Sequence, residues 1–327
     1  MRLASLIVLS IWLLVASMIS VAHHSTAYFS PEIQEWEGEI AELRWINPHV
    51  VIALRSEEPD GQSITREMIA GSIYSLERLG VTAEILSVGT TIRAAGNQST
   101  LRATDFVAKH ILLPDGRELV LTLGPPRWPE TERVADQSIV QSGEGIFRVW
   151  SIPTNRTQGR EVNLPFTEEA IAARSIWDPL ENFATRCEQP GMPRPMFNPH
   201  PFEFIDNGAT ITLLGEEFDI VRTIHINDAT APATQLETPL GYSVGRWERN
   251  TLVVETTRID WPYFDSIGTP QSDAVEILER FTVNDEENRL DVYIAITDPA
   301  TFTEPASLSF HWLALGESVA PYECDPL

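Results

Sequence analysis

Between residues 202 and 314 the chain is a succession of short β-type runs separated by turns, a pattern that few folds accommodate. The runs fall at 202–205, 210–214, 221–226, 241–247, 251–257, 275–283, 290–297 and 307–314. Asp206-Asn207-Gly208 and Arg249-Asn250 mark turns, because Gly and Asn tolerate the positive φ that tight turns require. Consecutive hairpins of similar length predict an antiparallel up-and-down β-barrel or a strongly curved sheet across 146–327. A closed barrel of this kind usually encloses a cavity.

The preceding part, 23–123, reads as a separate β domain. Strands are expected at 36–45, 50–54 and 64–70, with Gly38 as a bulge or bend in the first. Ser72 caps a short helix over 73–79 that stops at Gly80. Strands follow at 90–95 and 105–113, and Asp115-Gly116 turns the chain into a further hairpin strand at 118–123. Three strands, a helix and two strands are the layout of an OB-like five-stranded barrel with one short helix, so the fold class is mainly β throughout. Residues 124–145, with the proline-rich run GPPRWPETE, read as a linker. A strand is expected at 146–152 and a helix opening at Thr167 with Glu168 and Glu169. The segment 188–201 holds five prolines and cannot be a central strand or helix. It is expected to be an ordered, packed loop, because Met192, Met196, Phe197 and Phe202 need burial.

The first 22 residues have the form of a secretory signal. Arg2 supplies the positive start, residues 6–16 an apolar core, and Ser20 and Ala22 the small residues of a cleavage site. The apolar run is short for a membrane span and has no charged flank, so cleavage near Ala22, periplasmic or secreted localisation and no stable span after cleavage are expected. The net charge of −24 repels nucleic acid and excludes it as a partner. Two cysteines in an oxidising compartment predict a disulfide between Cys187 and Cys324.

Several motifs carry a resemblance. The segments AHHSTAYFSP and LRWINPHVVI resemble a family of exported bacterial proteins that is a domain of unknown function. The segments PGMPRPM, PFEF, LGYSVGRWE, TLVVETT, ERFTV, ITDP and PYEC resemble the C-terminal domain that accompanies it. The resemblance covers most of the chain after residue 22 and implies export and two domains, with no activity attached. Arg249-Asn250 stands where the family pattern has Gly-Asp, and a turn former is kept.

Three constellations carry chemistry. Cleavage after Ala22 makes His23 a terminal residue with a free amine, followed by His24, and Asn47-Pro48-His49 ends the first long strand. An amine with imidazoles suits copper or zinc, so His23, His24 and His49 are candidate metal ligands, against the alternative of a frayed terminus. In the second domain Arg222, His225, Arg246, Trp247, Glu255, Arg280 and His311 lie on successive strands. Pointing inward they would line a small-ligand site; pointing outward they are an ordinary solvated face. The loop from Asp260 to Asp265 offers two carboxylates and three aromatics, either a barrel-mouth site or a packed loop. There is no phosphate loop, nucleophile elbow, HExxH or CxxC, and the single lysine, Lys109, is a poor Schiff-base candidate. The leading expectation is a periplasmic binding or accessory protein for a small molecule, with a metal at the terminus. A periplasmic enzyme and a structural module of the cell envelope are the alternatives.

Overall fold

A computed structural model describes residues 29–325 apart from 59, 122–124, 130, 134–144, 153–163, 179–180, 228–230, 233 and 315–317. The signal-like segment and the histidines at 23 and 24 lie outside the described residues.

The first unit is the expected five-stranded barrel. Its strands are β1 (Phe29–Arg44), β2 (Val51–Glu57), β3 (Ser63–Ile69), β4 (Thr91–Ser99) and β5 (Asp105–Leu112), with α1 (Ile73–Glu77) between β3 and β4. β1 pairs with both β2 and β4, and a parallel pairing of β3 with β5 closes the ring. Following partners from Ile33 through Asn97, Val107, Ile69 and Val51 returns to β1 at Arg44, eleven residues further along. That stagger is the strand tilt a closed barrel requires. β1 begins earlier than the sequence suggested because it stays paired to β4 out to Ser99. Ile40, Ile52, Leu54, Met68, Ile92 and Phe106 fill the interior, and Trp36 stacks on Phe106 at 4.1 Å. Ser72 caps α1 by accepting from the Ser75 N–H, and Leu76 beneath it is fully buried. The register slips between Ile40 and Glu42, just past Gly38. Gly38 serves close approach, since a Cβ there would stand 2.4 Å from the Arg55 carbonyl oxygen.

The first part of the proline-rich run packs along this barrel. After β6 (Arg117–Val120), the buried Glu118 accepts from the N–H groups of Arg127 and Trp128 and from the Thr131 hydroxyl. His110 Nδ1 lies 2.7 Å from the same carboxylate. The chain then adds β7 (Glu132–Arg133) parallel to β6.

The second unit is a nine-stranded sheet in which every strand lies beside its sequence neighbour. Its strands are β8 (Val149–Trp150), β9 (Phe202–Asp206), β10 (Thr210–Gly215), β11 (Ile220–Ile226), β12 (Tyr242–Glu248), β13 (Thr251–Thr257), β14 (Glu276–Asn284), β15 (Arg289–Thr297) and β16 (Ala306–Leu313). Among the described residues one bridge brings the ends together: the Ser151 and Leu313 N–H groups each donate to the other's carbonyl at 2.9 and 2.8 Å. One pair departs from the antiparallel expectation, for β11 and β12 run parallel. Asn227, at φ 63°, ends β11, and the chain returns to the same end of the sheet through residues 227–241 instead of a hairpin.

Phe202, Phe204, Leu213, Ile224, Leu252, Phe281, Val292, Ile294 and Trp312 occupy the interior of this barrel. The five-proline loop is packed as expected, with Met192 and Met196 buried. Gly191 is held to a bare backbone because a Cβ would stand 2.3 Å from the Trp261 side chain. Thr167 caps α2 (Glu168–Ser175) through the Ala170 N–H. Cys187 and Cys324 form a disulfide with Cα atoms 5.9 Å apart. Among the described residues no helix is long and apolar enough to cross a membrane.

Candidate functional site

Period-two alternation decides which side chains enter the second barrel. On β11, Ile220, Arg222 and Ile224 are buried while Val221 and Thr223 face out. Arg222 therefore sits inside, only 2% exposed, opposite the fully buried Glu279 of β14. Its Nη1 donates to Glu279 Oε1 at 3.0 Å and its Nη2 to Glu279 Oε2. Nε donates to Ser243 Oγ, Nη2 also to Thr256 Oγ1, and Nη1 also to Met196 Sδ. All five guanidinium hydrogens are thus engaged, and Ser243 and Thr256 bond each other at 3.0 Å. The network is saturated and offers a ligand no free donor, so it acts as a core tie.

The remaining candidates from the sequence do not converge on it. Arg246, Trp247 and Glu255 are exposed, and Arg280 is half-buried. Arg246 pairs with Glu255 at 2.6 Å and with Glu248 at 3.2 Å, and Arg280 with Glu248 at 2.9 Å, forming a charged ladder across β12, β13 and β14 on the outer face. His311 lies on β16 opposite Asp291, and burial, helped by Arg289, holds its imidazole below the ordinary histidine range. The Asp260–Asp265 loop is a packed one: Trp261 and Phe264 are buried, and Asp265 folds its own turn by accepting from the Ile267 and Thr269 N–H groups.

His225 has a different setting. Its ring stacks on Tyr242 at 4.4 Å and 12°. The pair stands at a cleft of about 490 Å³ between the outer face of β11 and the crossover that leads to β12. Val221, Thr223, Gln235, Thr238 and Leu240 are among the residues lining it. Gln189, from the five-proline loop, reaches the same cleft. Sequence reasoning placed His225 but not the cleft, because the crossover that walls it was read as a simple connection between hairpins.

A third cluster lies where the two barrels meet. The Asn47 side chain accepts from the Ile73 N–H and donates to the Tyr322 carbonyl, and Asn47 bridges to Cys324. Two Asn-Pro-His triplets, 47–49 and 198–200, come together here; the sequence reading named only the first, and the repetition of the triplet is the signal that could have found the second. His200 is buried, with Nδ1 2.9 Å from Glu216 Oε1, and its ring packs against Tyr74 and Tyr322. His49 Nδ1 is shut off from solvent. Burial pushes the His49 imidazole down to about 4, against the pull of Glu217 and with a further push from His200. Burial also drives the Tyr322 phenol far above its usual range, with Glu217 and Glu216 adding to it and Arg194 opposing. Of the three metal candidates only His49 is described, and it faces the second barrel. Among the described residues no group of three or more His, Cys, Asp or Glu is arranged to hold a metal ion.

Among curated proteins no sequence matches the chain. Residues 11–105, reaching from the signal-like segment to the start of β5, match the family described as a family of unknown function (DUF6152), so the N-terminal barrel is similar to members of a family whose description assigns no activity.

Proposed function

We propose that the chain is an exported binding or accessory protein that holds a small amphipathic ligand in the cleft outside β11. The carrying observation is the convergence of the stacked His225–Tyr242 pair with polar Gln189, Gln235 and Thr238 and apolar Val221 and Leu240 around one space of about 490 Å³. Ligand sites combine such an apolar lining with a few polar groups that fix orientation. Export rests on the signal-like residues 1–22 and is supported by the pairing of the chain's two cysteines, which persists in oxidising compartments. The filled barrel interior favours a second reading, an envelope interaction module, and the cleft separates the two.

The test is native mass spectrometry of the mature chain recovered from periplasmic extract. A small-molecule adduct on the wild type that disappears in Thr223→Trp, which fills the cleft from an outward-facing position, supports the proposal. No adduct, or one that survives Thr223→Trp, overturns it.

A further inference from the structure

We propose that the occupant of the β11 cleft is a neutral oligosaccharide of at least two rings, an inference that rests on the cleft being the ligand site. The floor of the cleft is the outward row of β11. Val221, Thr223 and His225 share one parity, opposite to the buried Ile220, Arg222 and Ile224. They span four steps of extended strand, about 13 Å, which accommodates two pyranose rings laid end to end. The crossover supplies the wall through Gln235, Thr238 and Leu240, and Gln189 joins them from the five-proline loop.

Charge narrows the class of ligand first. Among the described residues that line the cleft none is a carboxylate, although the chain holds 47 Asp and Glu. A cation would find no counter-charge there. The Arg222 guanidinium is spent inside the barrel on Glu279, Ser243 and Thr256, so an anion finds no free arginine. Taking a charged group out of water without a partner is costly, which leaves neutral ligands.

Hydrogen-bonding capacity narrows it further. Gln189 Nε2 donates to the Phe218 carbonyl at 3.3 Å, and Gln235 Nε2 to the Leu236 carbonyl at 3.1 Å. Thr238 Oγ1 donates to the Gly241 carbonyl at 3.2 Å. These bonds spend donors and leave both amide oxygens and the threonine lone pairs to accept. An apolar ligand would cover such acceptors without satisfying them, whereas a sugar brings hydroxyl donors.

The third observation is the ring platform. Tyr242 backs the His225 imidazole at 4.4 Å and 12°, so the pair offers one broad flat surface. Aromatic faces are electron-rich and attract the slightly positive C–H edges of an apolar surface. The C–H face of a pyranose suits that platform, and its rim of hydroxyls then meets the acceptors on the wall.

The experiment is calorimetric titration of the full mature chain with neutral disaccharides of glucose, galactose, mannose and N-acetylglucosamine, with the monosaccharides and glucuronic acid as comparators. The expected result is saturable one-to-one binding of at least one disaccharide, stronger than its monosaccharide and unchanged by added salt, which screens charged contacts. His225→Ala should weaken it about tenfold or more, His225→Phe should retain it by keeping a flat ring, and Thr223→Trp should abolish it, all three melting like wild type. No saturation by any of the disaccharides at about 10 mM, indifference to His225→Ala, or preference for glucuronic acid would each overturn the proposal. A periplasmic adduct that is lost in Thr223→Trp but contains no sugar overturns this inference while leaving the cleft as the ligand site. An adduct that survives Thr223→Trp overturns both.

Discussion

Replacing Glu279 by Gln tests whether the saturated pair inside the second barrel is a tie rather than a binding group. The substitution keeps the shape but leaves the Arg222 guanidinium charged, 2% exposed and facing an amide. The amide oxygen can still accept one of the two bonds Arg222 gives Glu279. The amide nitrogen turns a donor toward a donor. Removing one partner of a buried ion pair costs about 3–5 kcal/mol, because the other charge is left uncompensated. For a unit of this size each kcal/mol moves the melting temperature by about 2–4 °C, so a fall of about 6–20 °C is expected. The double change Arg222→Met with Glu279→Leu should recover most of the loss. It leaves no buried charge, and Ser243 and Thr256 still satisfy each other. Calorimetric melts of Arg222→Met, Glu279→Leu and the double variant form the cycle. A loss below about 1 kcal/mol in Glu279→Gln, or a double variant as unstable as the sum of the singles, would refute the reasoning.

Other measurements bear on the remaining features. On the outer ladder, Arg246→Ala and Glu255→Ala should each change stability by less than about 1 kcal/mol in the same melts, because exposed pairs are screened by water and salt. Cys187→Ser should cost about 2–5 kcal/mol and make the segment 318–325 sensitive to limited proteolysis, since the bridge to Cys324 holds that segment against Asn47. His49 is neutral in the folded chain down to about pH 4, whereas an unfolded histidine takes up its proton near 6.5. The unfolded state therefore binds the extra proton between these values. The His49 contribution is complete above pH 6.5 and is lost progressively as the pH falls toward 4, by about 3 kcal/mol at most. Denaturant melts across that range should show the loss in wild type and a flatter profile in His49→Gln.

The first barrel was readable because each of its elements carries a local signal: the Ser72 cap, the stop at Gly80, the Asp115-Gly116 turn and runs of the right length. Its closure by parallel β3 and β5 was implied only by the order of elements. In the second barrel the residues of a strand can be read while their direction across the sheet remains hidden. Val275, Ile277, Phe281 and Val283 share one parity, and Glu279 falls in the same series, so an inward carboxylate was legible there. Attention to Arg280, one place along, selected the opposite face. Glu255 posed the same ambiguity, and the burial of Thr256 with Leu252 and Val254 resolves it outward. The parallel β11–β12 pair and the cleft beside it were not legible, because residues 227–241 carry prolines and polar residues that a long hairpin loop would also show. The meeting of the two Asn-Pro-His triplets was written in the sequence as a repeat, but only long-range packing brings positions 47–49 and 198–200 together.

The nine strands of the second barrel are joined by ladders along most of their length, yet among the described residues the circle is fastened by one pair, Ser151 and Leu313, beside a β8 only two residues long. Such a ring has a preferred place to part. The amide protons of Ser151 and Leu313 should exchange with solvent ahead of those deep in β13 and β14, and the frontier of exchange should then travel inward along β16. Opening there would peel β16 away from Phe202 and Phe281, against which Trp312 packs, and wet the aromatic core before the Arg222–Glu279 tie is disturbed. The barrel is best pictured as a cuff with a single clasp, whose mechanical weakness is set by two hydrogen bonds while its thermodynamic strength lies on the opposite wall.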